Sequence, residues 1–539
     1  MSGLVRSNLV VASGTLMSRV TGLARVMVFA YVIGQTALAD AYKLGNETPN
    51  IVYDLIIGGV LSATLVPVIT SLGTTDDPET RRRIDAVVTM SMLSIVALTI
   101  LAVIAAPAIF GLYSISLSPS VDPSVFRAAG TTLTRIFLVQ ILFYGATGVM
   151  NAILHSRDRF LAAAWSPVLA NLVVIATLMS LPRAGTAEWT IDQIGIDRRL
   201  TWTLGAGATA GIAVMAVVVS VAVARSGPFW RPVWNPRDPA VRKVMSMGGW
   251  TLGFVVANQV ALVVVRNLAE PGSALASAYF DAFTFFVLPH GLLAVSIATT
   301  LQPRLARAVA AGDTTAVVGQ LSGGIRAIVA VTAPASMMLV VLAEPLVRVL
   351  MERGQFDAES TMNTAAALRG LGVGLVGFSV FLFSLRGFYA HHDTRTPFLL
   401  NVGENGLNIA LAVVLIGPFG VAGLGLALGI AYLVAALVAV VVLQRRWVAT
   451  LSLGDLGVET ARLVSSSLAA AIVMWAFANL LKLSTASGVT AIGGIIVVSL
   501  GGTLVYWTSS RALRSQTVPR LSQISAALSR AGGRGHHDG

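Results

Sequence analysis

Residues 86–112 read AVVTMSMLSIVALTILAVIAAPAIFGL, 27 positions without one charged side chain. At a helical rise of about 1.5 Å per residue this segment reaches about 40 Å, more than the roughly 30 Å hydrocarbon core of a bilayer. Its apolar run is continuous, without the strict alternation of a barrel strand. The segment therefore predicts a transmembrane helix, an element whose backbone groups are hydrogen-bonded within itself.

The rest of the chain repeats the pattern. Of 539 residues, 55% are hydrophobic and 12% charged, with mean hydropathy +0.79; roughly 25% charged is usual for a soluble domain. A soluble multidomain enzyme and a disordered chain are both excluded. Fourteen spans are expected, near 8–34, 49–73, 86–112, 128–154, 160–182, 201–224, 244–268, 274–301, 323–350, 360–389, 397–417, 420–443, 459–481 and 487–508. The expected fold class is all-α, a polytopic membrane protein. The absence of cysteine removes disulfides, thiolate metal sites and Cys nucleophiles. No cleavable signal peptide is expected, because the first apolar stretch is too long and holds two arginines.

The net charge of +12 invites a nucleic-acid reading until the charges are placed. One set of alternate loops carries Arg81, Arg82 and Arg83, then Arg157 and Arg159, then Arg225, Arg231, Arg237, Arg242 and Lys243, and later Arg304, Arg307, Arg395, Arg445 and Arg446. The opposite set carries fewer: Lys43, Arg183, Arg198, Arg199, Arg353 and Lys482. The richer set is cytoplasmic by the positive-inside rule, as are both termini, and nucleic acid is dropped as a partner. On the opposite side only the loop 183–200 is long, with Trp189 and Ile194 as candidate interfacial residues. The basic tail 511–539 is expected to touch anionic headgroups, with two or three amphipathic turns over Pro519–Ser529.

A weak internal repeat joins 148–179 to 385–416: in each, a helix, a His-containing polar turn ending in Phe160 or Phe398, and a helix bearing Asn171 or Asn408. It predicts two pseudo-symmetric six-helix lobes, residues 1–227 and 228–444, then a helix pair over 445–510 and the tail 511–539.

A charge in mid-membrane costs about 2.5–3.5 kcal/mol on insertion scales, so each needs a reason. The first span holds SRVTGLAR, from Ser18 through Arg19 to Arg25. On a straight helix a spacing of six sets the two guanidiniums about 120° apart; a bend or unwinding at Gly14 or Gly22 would let them converge. Guanidinium forks suit phosphate oxygens, so a phosphate or diphosphate site is expected. The alternative is an interhelical salt bridge to Asp40 or Asp54. Asp54, Arg135, Arg266 and Asp281 are further candidates for the same cavity, or else paired or snorkelling residues. Glu404, with Asn401, Asn405, Asn408 and either Asn258 or Gln259, is a candidate proton, Na⁺ or gating site. The alternative there is interhelical hydrogen bonding. No catalytic constellation, metal-ligand spacing or Walker motif is present in the sequence.

The segment SGTLMSRVTGLARVMVFAYVIGQTALADAYKLGNETPNIVYDLIIGGVLSATLVPVIT resembles the start of the MurJ/MviN family, the lipid II flippases of the multidrug/oligosaccharidyl-lipid/polysaccharide exporter superfamily. The resemblance rests on Ser18, Arg19, Gly22, Arg25, Gly34, the triplet Ala39-Asp40-Ala41, Pro49 with Asn50, Gly59, Ser62, Val66 and Pro67. Later elements join it: LPHG (288–291), QPRL (302–305), ERGQF (352–356) and GFYAHHDTRTP (387–397).

The resemblance implies fourteen helices in two lobes around a cavity open alternately to each side of the bacterial cytoplasmic membrane. It implies lipid II, an undecaprenyl-diphosphate disaccharide-pentapeptide, as the substrate moved to the outer leaflet for peptidoglycan assembly. Arg19 and Arg25 match the family's diphosphate-binding arginines and Asp40 its functional Asp; Ser18, Asn50, Arg266 and Asp281 complete the candidate set. The chain departs from the family at Tyr53, Asp54, Gly58 and Thr284, where charged residues are usual, and Arg266 is the candidate replacement. No cofactor is expected; coupling to Na⁺, H⁺ or membrane potential is. Membrane lipids and, on the cytoplasmic side, cell-wall or regulatory proteins are the other expected partners. The tail at 511–539 is where the extra cytosolic domain of some relatives would begin. Weighed alternatives are a flippase for another polyprenyl-diphosphate oligosaccharide and a cation-coupled multidrug exporter.

Overall fold

The computed structural model describes residues 3–55, 78–157, 159–227, 230–239, 241 and 249–518, with the side chains of 3–10, 52–55 and 249–256 left aside. Every regular element among the described residues is helical. They begin with α1 (Gly3–Ile33), α2 (Ala37–Leu55), α3 (Pro78–Ile104), α4 (Ala106–Leu112), α5 (Pro123–Leu138), α6 (Gln140–Ser156), α7 (Leu161–Met179) and α8 (Arg198–Ser226). There follow α9 (Gly249–Leu268), α10 (Leu275–Pro289), a π-helical turn at His290–Ala294, α11 (Val295–Ala310), α12 (Thr314–Met351), α13 (Ala358–Val373) and α14 (Leu375–Ala390). The last are α15 (Arg395–Trp447), α16 (Leu453–Leu480) and α17 (Gly488–Ala512).

Ten helices among the described residues are long and apolar enough to cross a membrane, and the pair α13–α14, bent by 49°, adds an eleventh span. One of the ten, α15, has 53 residues and breaks at Gly420, φ 54° and ψ −139°. At about 80 Å it is too long for one crossing, and it covers two expected spans, 397–417 and 420–443. These helices match every expected span but the second and the seventh. The second, 49–73, runs into 56–77, and the seventh, 244–268, begins in 242–248, both outside the described residues. The all-helical membrane fold is therefore established, whereas the count of fourteen is not. The tail turns expected over Pro519–Ser529 also lie outside the described residues.

The chain separates into two compact units that interleave along the sequence. The first comprises Met1–Thr284, Leu350–Ala367 and Asn401–Leu424; the second comprises Phe285–Val349, Leu368–Leu400 and Gly425–Gly539.

In the first unit α7 packs on α1 and α8, and α2 on α5. Phe29, Tyr42 and Phe137 form its aromatic centre, with ring centroids 4.6 Å and 5.0 Å apart along the chain of three. The expected unwinding of the first span is absent: α1 is one uninterrupted helix. Gly14 serves close packing instead, since a Cβ there would come 2.8 Å from the Cβ and the carbonyl oxygen of Ala164. Gly34 ends α1 with φ +74°, where a side chain would strike the Gln355 carbonyl. The Gln355 N–H donates to the Tyr31 carbonyl at 3.0 Å, so the ERGQF element closes over the end of α1.

In the second unit Phe378 stacks edge-on against Tyr432 at 4.8 Å and His290 at 4.6 Å. Backbones meet at Gly374 and Gly429, where any Cβ would collide. α16 and α17 pack on each other, and Tyr506 Oη donates to the Ala330 carbonyl at 2.8 Å.

Candidate functional site

α2 begins twelve residues before the expected second span, at Ala37, and brings a polar stripe into the first unit. Lys43, Asn46, Glu47 and Asn50 recur at i, i+3, i+4 and i+7, which places them on one helical face. That face forms a wall of a cavity of about 150 Å³. Arg25 and Phe29 of α1, Gln140 and Tyr144 of α6, and Phe280, Asp281 and Thr284 of α10 close it.

Most polar groups in this cavity are committed. Tyr144 Oη donates to Asn50 Oδ1 at 2.8 Å, Asn50 Nδ2 to the Asn46 carbonyl at 2.9 Å, and Gln140 Nε2 to Asn46 Oδ1 at 3.0 Å. Lys43 Nζ lies 2.6 Å from Asp281 Oδ1 and 5.4 Å from the centroid of the Phe29 ring. The other oxygen of Asp281 accepts from Gln35 Nε2 at 3.1 Å, and that amide also donates to Thr364 at 2.6 Å. The Lys43 charge is thus neutralised in place, with the carboxylate buried and fully bonded. Arg25 differs: half-buried on the cavity wall, it makes no hydrogen bond or ion pair among the described residues. An unpaired guanidinium in a small polar cavity within apolar helices is a site for an anion.

Of the expected residues, Arg25, Asn50 and Asp281 meet in this cavity. Arg19 does not: it is exposed and outside the cavity lining, six residues before Arg25 on the uninterrupted α1. Ser18 contributes its backbone carbonyl, which accepts from Asn171 Nδ2 at 3.3 Å. Asp54 and Gly58 lie outside the described residues or side chains. Thr284, the position of a missing family charge, does line the cavity, but its hydroxyl is turned to the Phe280 carbonyl at 3.2 Å.

Asp40 faces away from the cavity and is fully buried. Its Oδ2 accepts the N–H groups of Gly272 and Ala274 at 2.9 and 3.0 Å, and its Oδ1 that of Ser277 at 2.7 Å. The first two amides belong to the α9–α10 turn, where Glu270, Gly272 and Ala274 all have positive φ, and the third to the first turn of α10. The carboxylate holds a turn that Glu270 and Ala274 adopt only under strain. No arginine among the described residues pairs with it. Arg266, 3% exposed, lies over the Phe280 ring at 3.3 Å and the Tyr279 ring at 5.1 Å. Phe280 belongs to the cavity wall, so Arg266 sits one ring behind it. Its Nε and Nη1 lack hydrogen-bond partners. Arg135 is exposed and lines a separate groove.

The amides of the eleventh expected span bond across helices: Asn401 and Asn405 both donate to Asn258 Oδ1, at 3.0 and 2.9 Å. Glu404 beside them is 3% exposed, with Oε1 unpartnered. No group of three or more His, Asp or Glu that could hold a metal occurs among the described residues.

Lys43, Gln35, Gln140 and Tyr144 are cavity or support residues that sequence reasoning passed over. The sequence reading places Lys43 in a loop before the expected second span, whereas the helix already begins at Ala37. The i, i+3, i+4, i+7 polar stripe was the available signal for an earlier start.

Comparison with known proteins adds an independent line. The profile of the "Lipid II flippase MurJ" family matches residues 29–493. A "Probable lipid II flippase MurJ" of Rhizobium meliloti is 28% identical over 425 residues, covering 79% of this chain and 77% of its own. The "Lipid II flippase MurJ" of Burkholderia cenocepacia is 28% identical over 436 residues, covering 79% and 81%. Among solved structures, a lipid II flippase MurJ in an inward closed conformation aligns with TM-score 0.73 at 21% identity, over 93% of this chain and 98% of the other. An inward-facing multidrug transporter of the MATE family aligns with TM-score 0.64 at 14% identity, over 82% and 98%.

Proposed function

The chain belongs to the lipid II flippase MurJ family, and on that premise we propose that it moves lipid II across the membrane for peptidoglycan assembly, with Arg25 as the primary contact for the diphosphate. It is a transporter and not an enzyme. The observation that carries the site assignment is the Arg25 guanidinium, unpaired on the wall of a cavity whose other described cation, Lys43, is already neutralised by Asp281. Asn50 and Tyr144 supply neutral polar groups beside it. Arg19, exposed and six residues earlier on α1, is a first contact for the incoming headgroup.

The mechanism is alternating access between two lobes, residues 1–227 and 228–444. The lipid chain stays in the bilayer while the diphosphate binds Arg25. Binding neutralises the guanidinium and lowers the barrier to reorientation. Both termini are cytoplasmic in this reading, so Arg25, freed of the diphosphate, returns towards a negative interior. A potential would favour that step by about 2.3 kcal/mol per charge per 100 mV if the charge crossed the whole field. Na⁺ or H⁺ coupling through Glu404 and the Asn258–Asn401–Asn405 amides is a further part of the proposal, as is docking of cell-wall proteins on the cytoplasmic face.

The test is complementation of a strain depleted of its own flippase, with lipid II labelled selectively in the outer leaflet. Wild type restores the label and Arg25→Ala does not, at equal membrane abundance. Full labelling by Arg25→Ala would remove the assignment of the diphosphate to this residue.

A further inference from the structure

A second pair of arginines lies on α5 and α8, apart from the cavity. Arg135 of α5 and Arg198 at the start of α8 line a groove of about 300 Å³, together with Thr132, Ile136, Thr201 and Trp202. Both arginines are exposed, and neither makes a hydrogen bond or ion pair among the described residues. The neighbouring Asp197 is engaged elsewhere, its carboxylate accepting the Leu200 N–H at 3.0 Å.

The groove lies on the exposed side of two helices. Along α5 to its end, exposed positions recur at Val125, Ala128, Arg135 and Val139, with the half-buried Thr132 between them, the spacing of one helical stripe. On α8, Arg198 and Trp202 begin a stripe that continues at Val217 and Val221. Phe137 and Leu133, on the other side of α5, are fully buried. Trp202 is 58% and Ile196 83% exposed, while Ile194, expected at the interface from sequence, is buried at 8%.

Depth follows from the neighbours of Arg135. The groove sets it beside Gly195 of the 180–197 loop and Arg198 at the start of α8, with Trp202 one turn further along that helix. Arginines at a helix start with a Trp one turn deeper are the pattern of a membrane interface.

We propose that this groove binds the phosphate of an anionic phospholipid, of the phosphatidylglycerol class, from the leaflet on the side of the 180–197 loop. Two unpaired guanidiniums supply the charge complement, Trp202 packs against the glycerol and upper acyl carbons, and the Val139 and Val217 stripes carry the chains. Zwitterionic lipids place an ammonium beside two guanidiniums and bind more weakly. The inference rests on the membrane-spanning fold and not on the transported substrate.

The experiment uses the full chain in detergent micelles titrated with dibromo-acyl phosphatidylglycerol or phosphatidylcholine, reading tryptophan quenching. Subtracting the Trp202→Phe curve isolates the Trp202 signal. Phosphatidylglycerol should quench it at about fivefold lower mole fraction than phosphatidylcholine. Arg135→Gln with Arg198→Gln should collapse the two curves onto the phosphatidylcholine one, and the paired Lys variants should keep most of the separation. Each single Gln variant should lose about half of it, which serves if the double variant does not fold. Equal quenching by both lipids in wild type, or an undiminished preference in the Gln variants, overturns the proposal. Displacement of the lipid by millimolar inorganic diphosphate would also overturn it, by assigning the groove to free or substrate diphosphate. Lipid II flipping enters none of these readouts, so this proposal and the transport reading fail separately.

Discussion

Asp40 and Lys43 stand three residues apart on α2, yet they serve two different kinds of polar region. Around Asp40 every partner is protein: three backbone N–H groups of one strained turn and the helix start that follows it, with Arg266 nearby spread over aromatic rings. Around Lys43 the pairing is incomplete: Asp281 neutralises Lys43, whereas Arg25 shares the cavity with Glu47 but forms no ion pair among the described residues. The sequence presents both regions alike, as charges in apolar helices. What distinguishes a structural charge from a binding charge is whether the fold has already supplied its counterpart.

The comparison breaks most readily at Asp40. Asp40→Ala strands three amides in a buried turn, at about 1–3 kcal/mol for each unsatisfied group. The expected outcome is a loss of about 3 kcal/mol or more, visible as a large fall in the melting temperature of the purified protein in detergent. Asp40→Asn, which retains an acceptor, should recover part of it. An unchanged melting temperature in Asp40→Ala would mean that the turn does not depend on the carboxylate.

Arg25→Ala should give the reverse pattern. With no partner to orphan, it should melt within error of wild type. Loss of a charged hydrogen bond to a phosphate, about 1.5–3 kcal/mol, should weaken binding of a diphosphate lipid by roughly tenfold to a hundredfold. Binding measured by fluorescence-labelled lipid II in micelles checks it. A variant that both binds normally and melts lower would exchange the roles given to Arg25 and Asp40.

Arg266 sharpens the same distinction. It has no ion pair among the described residues, and two of its nitrogens lack hydrogen bonds. Its stacking on Phe280 contributes about 2 kcal/mol, against the desolvation of a buried charge. Apolar replacements of similar volume at buried charges are often neutral or stabilising. Arg266→Met should therefore shift the melting temperature by only a few degrees in either direction, and less than Arg266→Ala, which also empties the space beside the rings. A collapse in Arg266→Met would identify an unrecognised counter-charge.

The fold was legible because membrane spans announce themselves by length and hydropathy, which do not depend on partners. Arg25 was legible for the related reason that a charge within a span is conspicuous. Arg19, equally conspicuous, stays outside the cavity because α1 runs without a break that would bring it round to Arg25, and Gly14 is small where Ala164 packs against it. The Lys43–Asp281 pair joins residues 238 positions apart, a relation no local spacing encodes. Asp40 was marked out by the family resemblance, but its partners are backbone N–H groups, and backbone donors carry no residue-type signature.

Asp122 supplies the smallest test, because it repeats the chemistry of Asp40 in water. It caps α5, accepting the N–H groups of Ser124 and Val125 at 2.7 and 3.1 Å, and it is fully exposed. The Ser124 hydroxyl and these amides hold its carboxyl below the usual aspartate range. A depressed folded-state value means the cap's contribution is complete above the ordinary aspartate pKa and is lost as pH falls through the lowered one. Amide-exchange protection at Ser124 and Val125 should accordingly be constant at neutral pH and decline only in strongly acidic solution. Asp122→Ala should abolish that decline and lower the global melting temperature far less than Asp40→Ala does, since an N-cap is lost but water reaches the freed amides. Were Asp122→Ala to melt as far below wild type as Asp40→Ala, burial would not be what separates the two carboxylates. The contrast between solvated and sequestered charge would then have to rest on the arginines alone.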